Sequence, residues 1–163
     1  MSGRIVRTHV RPLALGALAV LVMAVAVAPA AEAGRAACVS PREEVALNAR
    51  VLQTELMVAA LACGEERRYN AFVTTFRREI AAQGSSLRRL FARTYGHAGS
   101  REMNAFVTRL ANDASIRSAA SGQRYCTAAG ALLAEALATN PGDFERLTRS
   151  GALPARHGFS RCR

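Results

Sequence analysis

A chain of 163 residues has the size of one domain, and with half of its residues apolar it can bury a sizeable core. Its 22 basic and 12 acidic residues give a net charge of +10, which favours anionic partners over cationic ones. Four widely spaced cysteines with no C-x-x-C pair exclude a thioredoxin-like redox motif, a zinc knuckle and c-type haem attachment.

Residues 1–33 have the anatomy of an export signal. Arg4, Arg7 and Arg11 make a basic start, Leu13 to Val27 is an apolar run relieved only by Gly16, and Pro29 ends it. Ala31-Glu32-Ala33 before Gly34 fits the small-x-small pattern of signal peptidase. The expectation is a cleaved signal peptide over 1–33 and a single helical domain over 34–163, periplasmic or secreted, with no transmembrane segment left after cleavage. An uncleaved anchor is the alternative, because Pro12 to Ala31 approaches membrane-spanning length. No Arg-Arg pair precedes the run, which argues against the twin-arginine route. Arg35 stands where lipid attachment at Cys38 would want an aliphatic residue.

Cleavage removes three arginines and one glutamate, leaving 19 basic and 11 acidic residues and a net charge of +8. Cys38, Cys63, Cys126 and Cys162 all lie in the remaining part, and an even count in an exported chain reads as two disulfides.

The pattern after residue 34 is helical, with no sustained period-two alternation. Ser40-Pro41-Arg42-Glu43 combines a cap, a first-turn proline and a capping-box glutamate. Val45, Ala49, Leu52, Leu56, Ala59 and Cys63 follow at helical spacing, flanked by Leu47, Val51, Val58 and Leu61. So wide an apolar face predicts a central helix, ended by Gly64. A second helix carries Tyr69, Phe72, Val73, Phe76 and Ile80 and is expected to close at Gly84. Ser85 or Ser86 then caps a short third helix with Leu87, Leu90 and Phe91 inside. Residues 94–99 read as a turn, and Ser100 as the cap of a fourth helix bearing Met103, Phe106, Val107, Leu110, Ala111 and Ala114. From Asn112 to Gly122 the pattern fits helix or loop. A fifth helix spans about Gln123 to Ala138, and Asn140-Pro141 opens a short last one through Phe144 and Leu147. The tail from Ser150 reads as irregular, tied down by Cys162.

The expected fold is all-α, a five- to six-helix bundle stapled by two disulfides. A helix over 41–62 holds its ends roughly 30 Å apart, so Cys38 and Cys63 cannot bond, since bridged Cα atoms sit about 4–7 Å apart. Alternating helices up and down favours Cys38–Cys126 with Cys63–Cys162; the swapped pairing, Cys38–Cys162 with Cys63–Cys126, is its rival. Asn70-Ala71-Phe72-Val73-Thr74 recurs as Asn104-Ala105-Phe106-Val107-Thr108, 34 residues later. That echo reads either as duplication of a helical hairpin or as two amphipathic helices of similar composition.

Catalytic signatures are sparse. His97, in a glycine-flanked turn, and His157, in the tail, are the histidines left after processing, and neither sits in a metal helix, nucleophile elbow or phosphate loop. A small hydrolase using His97 or His157 is one alternative function, and a periplasmic stress protein or holdase another. No catalytic residue, metal site or cofactor is assigned. Glu43-Glu44 and Glu65-Glu66 lie in first turns, where they complement helix dipoles. The densest charge feature is a set of arginine pairs, from which Arg77, Arg88, Arg89 and Arg93 form a candidate anion-binding face, alternatively a merely solvated one. Without tryptophan, and with its aromatic residues at core positions, the chain offers little for base stacking, so nucleic acid is not an expected partner. The expectation is a non-enzymatic binding or structural module whose partner is a protein or an anionic envelope component.

Ala60-Leu61-Ala62-Cys63-Gly64, Tyr69-Asn70-Ala71-Phe72-Val73, Thr94-Tyr95-Gly96 and Leu110-Ala111-Asn112 resemble stretches in small exported proteins of GC-rich Gram-negative bacteria to which no activity is attached. The resemblance implies a helical fold and an exported location.

Overall fold

A computed structural model describes residues 38–150 and 157–162. The expected signal peptide, residues 1–33, and residues 151–156 of the tail lie outside the described residues. The helices are α1 (Pro41–Cys63), α2 (Glu66–Thr75), α3 (Arg77–Tyr95), α4 (Gly99–Ser121), α5 (Gln123–Ala138) and α6 (Phe144–Arg149). Short 3-10 turns occupy Gly96–Ala98 and Pro141–Asp143. Among the described residues the pairing of extended chain is a single parallel bridge between Val39 and Arg161. The fold is all-α.

α1 begins and ends where its local chemistry demands. The Ser40 hydroxyl accepts from the Glu43 amide at 3.4 Å, and the Glu43 carboxylate accepts from the Ser40 amide at 2.9 Å, a closed capping box. At the other end Gly64 takes the left-handed conformation, φ 73°, that a side chain would strain. Between these caps α1 is buried on most of its circumference. It is long and apolar enough to cross a membrane, but 67% of its most apolar window is buried inside the fold, so within this domain it serves as the core helix.

Three apolar clusters surround α1. Leu52 and Leu56 pack with Phe72, Phe76, Leu132, Leu133, Phe144 and Leu147. Leu47 and Val51 pack with Val39, Leu87, Leu90, Phe91, Phe106 and Leu110. Near its end Val58 and Ala59 meet Ala114, Tyr125 and Ala129. Burial of this kind contributes roughly 1.5–3 kcal/mol for each large apolar side chain.

The second and third helices depart from the expected division. The break falls at Phe76, and Gly84 lies inside α3. Phe76 is fully buried between Phe72 and Phe144, with ring centroids 5.2 Å from each. The Thr74 hydroxyl donates back to the Asn70 carbonyl at 2.8 Å, a bond that commonly bends helices. α2 and the first turn of α3 thus pack in one cluster and the rest of α3 in the next, with a bend between the helices rather than a reversal. Gly84 does not stop the helix, because Ile80 and Leu87 continue the buried stripe across it.

α4 starts at Gly99 rather than after a Ser100 cap. A Cβ on Gly99 would lie 2.9 Å from the Phe91 carbonyl oxygen, so glycine permits the close approach of α4 to the end of α3. The ambiguous stretch from Asn112 is helical as far as Ser121 because Ala114, fully buried, packs on α1. α5 occupies the expected residues, and Asn140-Pro141 opens a 3-10 turn that leads into α6. The two copies of the Asn-Ala-Phe-Val-Thr echo bury Phe72 and Phe106 in different clusters, on helices of 10 and 23 residues.

The disulfides are Cys38–Cys162 and Cys63–Cys126, with Cα separations of 4.7 and 5.6 Å. This overturns the favoured pairing of Cys38 with Cys126 and Cys63 with Cys162. Counting α2 and α3 as two antiparallel helices inserts a reversal that the bend at Phe76 does not make. With one fewer reversal, α5 starts beside the end of α1 instead of its beginning. The tail then runs along Val39, which donates to Ser160 O at 2.9 Å and accepts from the Cys162 amide at 3.1 Å. Both bonds mark a non-cytoplasmic, oxidising environment.

Candidate functional site

The four arginines picked out by sequence separate into two groups. Arg77, Arg88 and Arg89 all project from the exposed side of α3, together with Arg78. They share a surface because one helix carries them. Arg88 and Arg89 each donate to the serine three residues earlier, Ser85 and Ser86, at 2.9 Å, which lays both side chains along the helix. Arg93 is engaged elsewhere: its guanidinium pairs with Glu43 at 2.7 Å. Burial raises the Glu43 carboxyl, but the Ser40 amide, Arg93 and the Ser40 hydroxyl outweigh it and hold the group below the usual glutamate value.

The two histidines lie apart. His97 is exposed in the turn after α3. His157 is largely buried beside the start of α1, where its Nδ1 accepts from the Phe159 amide at 3.0 Å and its Nε2 lies 4.0 Å from Glu44. Burial pushes its pKa below the ordinary value; Glu44 opposes that shift and Arg161 reinforces it. Arg161 itself pairs with Glu44 at 2.6 Å. The imidazole therefore braces the tail internally, and Arg161 supplies the ion pair that fastens the tail to α1.

A different group of polar residues converges between α1, α4 and α5. Glu55 faces inward from the middle of α1, its side chain only 4% exposed. Arg117 of α4 donates to its carboxylate at 2.5 Å. Tyr125, 7% exposed on the first turn of α5, completes the cluster. Burial and the nearby Glu55 carboxylate raise the phenol far above its ordinary pKa, with Arg117 opposing, so it stays protonated. The Tyr125 hydroxyl and the Arg117 Nε–H are both buried without a well-aligned hydrogen-bond partner. Other parts of Arg117 and Tyr125 line a cleft of about 350 Å³, with Arg124 and Ser121 on its polar side and Ala128, Ala129 and Leu132 on its apolar side; the two donor atoms lie behind its wall. Cys126, next to Tyr125, is bonded to Cys63, so the disulfide pins this end of α5 to α1.

Sequence reasoning passed over this cluster. Glu55 and Arg117 are 62 residues apart and belong to no motif. The one available signal was a carboxylate at the head of the apolar run Leu56–Cys63, where a charge needs a partner. Among the described residues no three His, Cys, Asp or Glu side chains gather in a metal-binding arrangement. No protein-family model, curated protein or solved structure matches the chain.

Proposed function

We propose that this chain is an exported, non-catalytic module of the periplasm or cell envelope that docks on anionic envelope lipid through the arginine face of α3. The observation that carries this reading is a repeat. Arg77-Arg78 recurs as Arg88-Arg89 on the same exposed helix. Eleven residues make three helical turns to within about 20°, so the two pairs lie on one side, roughly 16 Å apart along the axis. Such a spacing suits several separate anionic headgroups better than a single small anion. The disulfides and the signal anatomy of residues 1–33 support an exported location. The basic excess outside the signal supports an anionic partner.

The test is sedimentation with vesicles of phosphatidylglycerol and phosphatidylcholine, against phosphatidylcholine alone, across a salt series. Binding to the anionic vesicles is expected, weakening as salt screens exposed charge, with a loss of at least about tenfold in a variant carrying glutamine at positions 77, 78, 88 and 89. Binding that ignores salt, or survives the four substitutions, overturns the reading; so does capture of an acidic protein in place of lipid. Neither a hydrolase based on His97 or His157 nor a holdase draws support from a particular observation: the two histidines lie apart, and Nδ1 of His157 is taken by the Phe159 amide.

A further inference from the structure

We infer that the cleft between α1, α4 and α5 is a binding site for a small amphipathic monocarboxylate, a site separate from the arginine face of α3. Three features of the cleft define the ligand. Its polar inventory contains donors in excess: Arg117 Nε–H and Tyr125 O–H are both buried without a well-aligned hydrogen-bond partner, the phenol standing near the Glu55 carboxylate. A buried unsatisfied donor is costly, and an oxygen acceptor removes that cost. The Glu55 carboxylate does not meet this need, because it takes the terminal nitrogen of Arg117 and makes no well-aligned hydrogen bond to either of these two donors. The ligand therefore brings its own acceptor oxygens.

Charge narrows the choice further. Glu55 and Arg117 neutralise one another, and Arg124 at the rim of the cleft leaves one net positive charge. A monoanion balances it, and a cationic ligand is repelled. The opposite wall, Ala128, Ala129 and Leu132, offers an apolar surface with no polar side chain to hydrate a second charge. A volume of about 350 Å³ stands at the lower end of the range for small-molecule pockets, which limits the apolar body to a short chain or a single ring. Neither free donor is open to water, so entry shifts the Arg117 side chain, which at 31% exposure is the looser partner of the pair. The Cys63–Cys126 bond holds Tyr125 in place during that shift.

The experiment is calorimetric titration of the oxidised protein with hexanoate, benzoate, hexylamine, hexanol and inorganic phosphate. The expected result is one-to-one binding of a carboxylate probe, with hexylamine, hexanol and phosphate at least tenfold weaker. Tyr125→Phe removes one donor while keeping the ring, and is expected to weaken carboxylate binding at least fivefold with the fold intact. A variant with Arg88→Gln and Arg89→Gln should bind as the parent does, which separates the cleft from adsorption to α3. Absence of carboxylate binding, equal binding of hexanol, or unchanged affinity in Tyr125→Phe would overturn the assignment. A loss confined to the Arg88→Gln, Arg89→Gln variant would do the same.

Discussion

The two ends of α1 are each closed by a disulfide, yet they are built differently. At its start the polar groups are satisfied and half in solvent: the Ser40 capping box, Glu43 with Arg93, Glu44 with Arg161, and His157 with the Phe159 amide. Toward its end the polar groups are few, buried and incompletely satisfied: Glu55, Arg117 and Tyr125. The first arrangement fastens chain ends at little desolvation cost. The second carries a desolvation cost that a closed hydrogen-bond network would offset, and here the network is open on its donor side. A protein that needed only stability would be better served by the first kind at both ends.

The sharpest way to break this comparison is to remove each disulfide in turn. Replacing Cys63 and Cys126 with serine frees a loop of 63 residues, for which chain entropy predicts a loss of about 4 kcal/mol. The loop closed by Cys38 and Cys162 is longer, 124 residues, so loop length alone predicts a slightly larger loss. The structure predicts the reverse order. Without its disulfide the tail can leave Val39 locally, by breaking two backbone hydrogen bonds, the Arg161–Glu44 pair and the contacts of Phe159 with Phe91 and Phe106, while the helices stay packed. Urea midpoints of the two double variants decide the order.

A second comparison concerns single carboxylates. Glu55→Ala strands Arg117 beside an apolar wall, and a loss of about 2–3 kcal/mol is expected, somewhat below the range for a fully buried pair because Arg117 is partly exposed. Glu43→Ala, at the other end, removes a capping-box contact and an exposed ion pair, for about 1 kcal/mol. Equal losses in thermal denaturation would dissolve the distinction drawn between the two ends.

The smallest effect expected is a dependence on pH confined to the start of α1. His157 has a depressed pKa in the folded chain, and its Nδ1 must be unprotonated to accept from Phe159. The unfolded chain binds the proton more readily, so this contribution is complete above the unfolded value of about 6.5. It is lost as pH falls from there through the folded value. Amide exchange at Phe159 should quicken over that interval relative to Tyr125, and His157→Gln should abolish the difference.

Much of the fold is legible in local chemistry. Ser40, Pro41, Glu43 and Gly64 delimit α1, and the spacing of Tyr125-neighbouring Cys126, Ala129, Leu132, Leu133 and Ala136 delimits α5, because caps and apolar periodicity act within a few residues. The bend at Phe76 was not legible. Gly84 is the stronger helix breaker by propensity, and what overrides it is packing of Phe72 and Phe76 against α5 and α6, which lie far along the chain. That one misplaced boundary also misassigned the cysteine pairs, since each helix reversal exchanges the two ends of the bundle. The cleft was hidden for a related reason: its three polar residues come from three helices, and only the assembled fold makes them neighbours.

The bond between Cys38 and Cys162 also sets a condition on timing. Chains are made from the N-terminus onward, so α1 is the first of the described helices to appear, while residue 162 is made after every one of them. The apolar surface of α1 that α5 and α6 cover waits, unshielded, until both have been made. The covalent clasp at Cys38 then closes after the helices are complete, so it records that assembly is finished and cannot guide how assembly begins.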